Sequence, residues 1–500
     1  MIIPDELDHS GPLYLQVYKS IRRGVLSGRL RPGKRLPSSR DLALELRVSR
    51  NTVVQAYEQL RAEGYLEGRL GWGTFVAAFV PDELMAVHGE LGKRLKHAGA
   101  SAETRISGYA SRALEQAPVG VRPNEKLRVD FRYGAANVAD FPSAEWRAIT
   151  IKHLRKIDKT SLNYSEAGGY GPLREAIVDY VREHRGIHCN ARDVIVVGGS
   201  QQALDLVGRA LLDPGDRVLM ENPTYPGARA VFQATGAKIH HSQVDNNGLD
   251  VQQVLRLPHR FKLAYTTPSH QFPTGGTMLL PRRLSFLQWA HDSGTYVLED
   301  DYDSEYRFEG RPIEAIAALD TFGQVIYSGT FSKILAPSLR LGYLISPPAL
   351  TEILLCVKSI ADRHAPLLGQ QVLATFLSSG QFERHMRRSR ARNDSRRKAL
   401  LKALHSAFGD RISVQGENAG LHVTVWFRDL PASEIDSIVE KAASKGIGVY
   451  SIAPLYHGPP PSAGLLLGYS SLDEIEIAAG INALAQALGL GCRAGAWRTC

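Results

Sequence analysis

Cysteine is scarce in this 500-residue chain: there are four, Cys189, Cys356, Cys492 and Cys500, and no Cys-x-x-Cys pair. Thiols scattered in this way argue against a disulfide framework and against a zinc site of cysteine type. They fit a reduced, cytoplasmic protein. Long apolar runs are also missing, so no stretch reaches the length of a membrane span. The first residues, Met1-Ile-Ile-Pro-Asp-Glu-Leu-Asp8, are acidic and lack the layout of a secretory signal.

Hydrophobic residues make up 44% of the chain, enough for large cores, and the length implies more than one domain. The net charge of +9 is unevenly placed. Lys19 to Arg50 holds ten basic residues against two acidic ones, Asp41 and Glu45. A basic cluster on a small domain is the footprint of polyanion binding.

Within residues 11–78, Pro12 to Gly28 has apolar positions Leu15, Tyr18, Ile21, Val25 and Leu26 at helical spacing. Ser38 and Ser49 stand where N-caps belong, ahead of two short amphipathic segments separated by Arg47-Val-Ser49. Two such helices form a helix-turn-helix, whose second helix fits the DNA major groove. Tyr65-Leu66-Glu67 and Thr74-Phe75-Val76 alternate like two small strands around the glycine-rich tip Gly68–Gly73, a wing. A helical packing module without DNA contact is the bland alternative; the basic excess argues against it. The whole segment, PLYLQVYKSIRRGVLSGRL through GWGTFV, resembles the winged helix-turn-helix of the GntR superfamily. The resemblance implies that Arg40, Ser49, Arg50, Asn51 and Thr52 face DNA, with Arg69 to Gly71 near the minor groove. Arg40 and Arg50 would meet phosphates or guanine edges.

Residues 79–128 show weak periodicity and are expected to be a mostly flexible linker, with some helix around Glu83 to Lys96. Its length would let the N-terminal head pack on another subunit. From residue 129 to 495, helical patterns alternate with short apolar strands at 194–197, 217–220, 262–265, 296–298, 324–327 and 342–345. This is the pattern of an α/β domain with a mainly parallel sheet, whose ligands sit at the carboxyl ends of strands.

Chemistry-bearing residues follow those strands. Gly198-Gly-Ser-Gln201 leads into a helix that would hold a phosphate, or is a structural glycine turn. Tyr225 could stack on a flat ring or simply pack. Glu299-Asp-Asp-Tyr-Asp303 crowds carboxylates that need a cation. No histidine accompanies them at ligand spacing, so no metal is expected, and a protonated pyridine nitrogen explains them better. Ser328, Thr330, Ser332 and Arg340 suit a phosphate and surround Lys333, whose burial near other positive charge would favour the neutral amine. Together these residues describe a pocket for pyridoxal 5′-phosphate held as a Schiff base.

Order and spacing resemble fold type I aminotransferases over about residues 129 to 490, with a parallel-sheet large domain and a smaller C-terminal α+β subdomain. The resemblance implies that Lys333 forms the Schiff base, Asp300 pairs with the pyridine nitrogen, and Tyr302 hydrogen-bonds the ring oxygen. It implies that Tyr225 stacks on the ring and that Ser200, Gln201, Thr330, Ser332 and Arg340 hold the phosphate. Tyr164 resembles the tyrosine that reaches the neighbouring subunit's phosphate, which implies a homodimer.

Two departures stand out. Phe272, in Ser269-His-Gln-Phe-Pro-Thr-Gly275, occupies the place of an asparagine that usually supports the ring oxygen. Leu466, in Leu465-Leu-Leu-Gly-Tyr469, occupies the place of the arginine that clamps a substrate α-carboxylate. Arg229 and His270 are candidates for an effector contact or for a supporting role. Arg384, Arg387, Arg388, Arg390, Arg392, Arg396 and Arg397 form either a further DNA site or a solvated helix face.

A GntR-type head fused to an aminotransferase-like body resembles the MocR/GabR family of bacterial transcription regulators. The resemblance implies a homodimer with each head lying across the partner's body, and operator DNA with repeated half-sites. It further implies a nucleoid-associated protein that senses an amine or vitamin B6 effector through Lys333, with at most residual transaminase turnover. An active aminotransferase with an accessory head is the rival class. A structural DNA-binding protein with a dead pocket is a third.

Overall fold

The computed structural model describes residues 11–69, 71–78, 105–116, 127–135, 138–157, 162–258, 260–310 and 313–489. The expected helix at Glu83 to Lys96, the N-terminal stretch Met1–Asp8, and Cys492 and Cys500 lie outside them. The chain divides into two units, residues 1–105 and 106–500. Among the described residues no helix is long and apolar enough to cross a membrane.

In the first unit, α1 (Leu13–Leu26) buries Val17, Ile21 and Val25. The stripe is rotated from the expected one, for Leu26 is 47% exposed. Leu30 packs so close to Gly24 that a Cβ there would stand 2.9 Å from it, which fixes the buried face. α2 (Ser39–Leu46) and α3 (Arg50–Ala62) begin at serine caps. Ser38 Oγ accepts from the Asp41 N–H at 3.2 Å, and Ser49 Oγ from the Thr52 N–H at 3.1 Å. Arg47 closes α2 in the left-handed conformation, φ 52°, and makes the turn into α3. β1 (Leu66–Arg69) pairs antiparallel with β2 (Gly73–Val76), with Arg69 opposite Gly73. This is the expected winged helix-turn-helix.

The second unit opens on α4 (Gly108–Leu114), within the stretch expected to be a flexible linker. Arg112 Nε donates to the Ala234 carbonyl at 3.1 Å, and the Tyr109 hydroxyl reaches Asp205 at 3.3 Å. A seven-residue helix held by polar and cation–π contacts leaves no apolar stripe to read. β3 (Val129–Asp130) then pairs parallel with Ile447–Gly448, far along the chain.

The large sheet comprises β4 (Val194–Val197), β5 (Arg217–Asn222), β6 (Lys238–Asp245), β7 (Gly248–Leu249), β8 (Leu263–Thr266), β9 (Tyr296–Asp301), β10 (Val325–Thr330) and β11 (Gly342–Ile345). Its order is β4-β11-β10-β9-β8-β5-β6-β7. The run from β10 through β9, β8 and β5 to β6 is parallel. β11 lies antiparallel between β10 and β4. β6 escapes a sequence reading because Lys238-Ile-His-His-Ser-Gln-Val-Asp245 lies near the sheet edge and carries no apolar run. The smaller subdomain is an antiparallel sheet of Ile412–Gln415, His422–Phe427, Gly464–Gly468 and Tyr450–Ser451, in that order. Its apolar face meets Leu400 and Leu404 of helix Gln381–Phe408 and Ile477 and Ile481 of helix Glu474–Ala487.

Helix Gln381–Phe408 carries the arginine cluster, and most of that cluster is spoken for. Arg392 and Arg396 both grip Asp140, at 2.6 and 2.8 Å. Arg390 Nε donates to the Glu305 carbonyl at 2.9 Å, Arg397 binds Asp394, Glu309 and the Glu417 carbonyl, and Arg388 faces Glu145 at 3.5 Å. These are tethers between the helix and the rest of the body. Arg384 and Arg387 are exposed, which fits the solvated-face reading.

Candidate cofactor site

A cavity of about 400 Å³ opens where the carboxyl ends of the parallel strands meet the smaller subdomain. It is lined by Ser200, Gln201, Tyr225, Asp300, Tyr302, Thr330, Ser332, Lys333 and Arg340, so the structure brings nearly the whole expected set together.

β9 explains the crowded carboxylates. Strand alternation sends Glu299 and Asp301 to one side and Asp300 to the other. Glu299 accepts the N–H groups of Ile316 and Ala317 at 3.0 and 2.9 Å. Asp301 pairs with Arg185 at 2.9 Å and accepts from the Tyr327 hydroxyl at 2.6 Å. Asp303 lies against His270 at 3.1 Å. Asp300 differs: Oδ2 accepts from the Tyr265 hydroxyl at 2.8 Å, while Oδ1 is buried without a hydrogen-bond partner. A buried carboxylate oxygen left unpaired is costly, and a ligand N–H would relieve it. Burial raises the Asp300 carboxyl to about 7, opposed by the Tyr265 hydrogen bond.

Lys333 Nζ donates to the Gly134 carbonyl at 2.8 Å. Burial lowers its pKa, and Asp303 and Asp300 oppose that shift. Burial and neighbouring positive charge were both expected to lower it; the structure keeps the burial and puts carboxylates where the charge was expected. At the other end, Arg340 donates to the Gly198 carbonyl, and its guanidinium packs on Gly199. Gly199 has φ 88°, and a Cβ there would stand 3.0 Å from an Arg340 nitrogen, so this turn needs glycine. Thr330 and Ser332 hydroxyls lie 3.1 Å apart beside it. Ser328, by contrast, is fully buried and does not line the cavity. Tyr225 meets Phe272 edge-on at 5.9 Å, and burial pushes its phenol up to about 12.

Several residues lie elsewhere. Tyr164 is 73% exposed under the Arg363 guanidinium and does not line this chain's cavity. Arg229 holds the Pro454 and Tyr456 carbonyls at 3.0 and 3.5 Å, a tie between the subdomains rather than an effector contact. His270 is buried behind Tyr302, 3.0 Å from its hydroxyl, and is also absent from the lining. Leu466 is fully buried in an apolar cluster with Phe272, Trp426, Ile452 and Leu455. Among the described residues the cationic side chains lining the cavity are Arg132, Lys333 and Arg340.

Sequence reasoning missed Tyr265, Tyr133, Leu421 and His422. Tyr265 ends β8 beside β9, a register visible once the strands are paired. The others arrive on distant segments and carry no local signal. Among the described residues no group of three or more His, Cys, Asp and Glu could hold a metal ion.

In the head, Arg40, Ser49, Arg50, Asn51, Arg69 and Gly71 are exposed, and Thr52 is half-buried. Ser49 and Thr52 bond each other at 2.7 Å as part of the α3 cap. Arg50 leans on Ser39 at 3.4 Å, and Arg69 lies over the Phe75 ring at 4.8 Å.

The unpaired Asp300 oxygen, the buried Lys333 amine and the Arg340 cradle together fit pyridoxal phosphate. Comparison with known proteins agrees. Residues 131–454 match the family model for aminotransferase class I and II, and residues 13–76 match that for bacterial regulatory proteins of the gntR family. The "Probable rhizopine catabolism regulatory protein MocR" of Rhizobium meliloti is 36% identical over 97% of this chain and 96% of its own. The pyridoxine biosynthesis transcriptional regulator PdxR of Corynebacterium glutamicum is 31% identical over 95% and 96%. Among solved structures, the α-aminoadipate aminotransferase LysN of Thermus thermophilus, complexed with N-(5′-phosphopyridoxyl)-L-leucine, superposes with a TM-score of 0.69. It is 28% identical and covers 78% of this chain and 98% of its own.

Proposed function

Since the chain belongs to the MocR/GabR family of GntR-superfamily transcription regulators, we propose that its cofactor-binding body reports a small amine, or vitamin B6 itself, to its DNA-binding head. Bound pyridoxal phosphate supplies an electrophilic aldehyde carbon conjugated to a protonatable ring. The protein's own residues do the rest. Lys333 offers an amine that burial keeps ready to lose its proton. Asp300 would hold the proton on the ring nitrogen, Tyr302 would donate to the ring oxygen, and Tyr225 would stack on the ring. Ser200, Gln201, Thr330, Ser332 and Arg340 would bind the phosphate, joined by Tyr164 of the partner subunit.

The observation that carries a sensing role over turnover is Leu466. It is fully buried among apolar side chains where an enzyme would keep its carboxylate arginine. Leu466 lies outside the cavity lining, so an α-carboxylate would have to find Arg132 instead, and an effector without one, or the phosphate vitamer alone, fits this arrangement. The effector biases the body only by its differential affinity for two conformations. Exposed Leu154, Leu162, Ile353 and Ile360 support a homodimer, since apolar side chains of this size prefer to be covered. Two heads would then read repeated half-sites on bacterial DNA in the cytoplasm.

The test measures operator affinity of wild type and Lys333→Ala, with and without pyridoxal phosphate and a panel of amines, alongside the absorbance of the bound cofactor. An absorbance change and an affinity change elicited by the same amine, both lost in Lys333→Ala, support amine sensing. An affinity change with the vitamer alone supports B6 sensing. Repeated turnover of an amino acid with a keto acid, at unchanged DNA affinity, would overturn both.

A further inference from the structure

We propose that His270, backed by Asp303, is a positioning residue that aims the hydroxyl hydrogen of Tyr302 at the ring oxygen of pyridoxal phosphate. The proposal rests on the assignment of Tyr302 made above. His270 Nδ1 lies 3.1 Å from each carboxylate oxygen of Asp303 and 3.0 Å from the Tyr302 hydroxyl. An ionised carboxylate only accepts, so Nδ1 carries a hydrogen and donates it to Asp303. A protonated Nδ1 cannot accept from Tyr302. The phenol hydrogen therefore turns away from His270, toward the cavity that Tyr302 lines. Burial holds this phenol well above its ordinary pKa, so it remains an O–H donor.

The packing selects the same ring form. His270 Nε2 is buried without a hydrogen-bond partner. It abuts backbone: a Cβ on Gly275 would stand 3.1 Å from it, and one on Gly416 would stand 3.6 Å away. A second ring hydrogen would find no acceptor there, so the neutral ring protonated at Nδ1 is the form that fits. Gly275, Gly416 and Gly420 have φ of 78°, 77° and 78°, and a Cβ on Gly420 would stand 2.0 Å from Cε1 of His270. Three left-handed glycines thus wedge one imidazole in place. The other titratable groups facing it are Asp303, Tyr302 and His422, whose ring lies 5.1 Å away. His422 Nε2 bonds the Pro273 carbonyl at 3.2 Å, and burial keeps its pKa far below the ordinary value, so it adds no charge. Phe272 cannot donate where an asparagine usually would, which leaves the direction of the Tyr302 hydrogen to decide how the ring oxygen is held.

A donor to that oxygen withdraws electron density and lowers the proton affinity of the bound chromophore. The experiment loads each variant with pyridoxal phosphate and follows its absorbance as pH is varied. Tyr302→Phe raises the midpoint. His270→Leu and His270→Ala each raise it in the same direction, with proton affinity up about tenfold, roughly one pH unit. Both remove the Nδ1–H that keeps the Tyr302 hydrogen turned toward the cavity, and both leave the Asp303 charge beside Lys333 in place. Melting curves of the cofactor-free variants identify any that fail to fold, and His270→Ala stands in if His270→Leu does. In the Tyr302→Phe background neither change shifts the midpoint further, because His270 acts only through the phenol. An unmoved midpoint in both His270→Leu and His270→Ala, or a shift that adds to Tyr302→Phe, overturns the proposal. An unmoved midpoint in Tyr302→Phe itself overturns the assignment of Tyr302, and the proposal with it.

Discussion

Asp300→Asn is expected to stabilise the cofactor-free protein at neutral pH and above while weakening its hold on pyridoxal phosphate. In the folded chain burial lifts this carboxyl from 3.8 to about 7, with Tyr265 and Lys333 opposing and Asp301 and Asp303 adding to the rise. A folded-state pKa above the unfolded value means that the folded protein binds the extra proton. That contribution is fully present at low pH, declines as pH climbs past the ordinary carboxylate value, and is gone above about 7. A shift of about three units at about 1.4 kcal/mol each sets a ceiling of about 4 kcal/mol. Asparagine carries no such charge. The stability gap between variant and wild type should therefore widen from about pH 4 and level off above about pH 7. Comparing the two proteins cancels Glu299, whose carboxyl is also raised to about 7 by burial. Urea unfolding of the cofactor-free proteins across that range measures the gap. With cofactor the gap narrows, because the variant binds it less tightly. The ring N–H loses a charge-assisted hydrogen bond of about 1.5–3 kcal/mol, a roughly ten- to hundredfold loss of affinity. A gap that stays flat with pH, or a variant that binds cofactor as tightly as wild type, would refute the assignment of Asp300.

Arg340→Gln removes the guanidinium packed on Gly199, and the cofactor dissociation constant should rise about tenfold or more, read by equilibrium dialysis. A constant within twofold of wild type would remove Arg340 from the phosphate cradle. Arg50→Ala should weaken DNA binding and reduce the slope of log affinity against log salt by about one, measured by fluorescence anisotropy. An unchanged slope would take Arg50 off the phosphate backbone.

Local chemistry was enough to place the head. The serine caps, the turn at Arg47 and the wing strands each depend on neighbours within a few residues, and a short-range signal reaches that far. The order of Ser200, Tyr225, Asp300, Tyr302, Lys333 and Arg340 at strand ends was legible for a similar reason, since parallel sheets collect their ligands there. The helix at Gly108–Leu114 was not legible, because its stability comes from Ala234 and Asp205 across the fold. The arginines of helix Gln381–Phe408 looked like a charged face, and only Asp140 and Glu305, distant in sequence, reveal them as tethers.

The sequence alone determined that carboxylates crowd the end of β9 and that their alternation sets Asp300 apart from Glu299 and Asp301. Which side holds the cavity, and which oxygen goes unpaired, was decided by Ile316, Arg185 and Tyr265 arriving from other elements. The same holds for His270, whose job is set by Asp303 and by three glycines that close around its ring. A strand's period specifies which side chains share a face. The charges and donors that meet that face come from segments joined to it only by the tertiary fold.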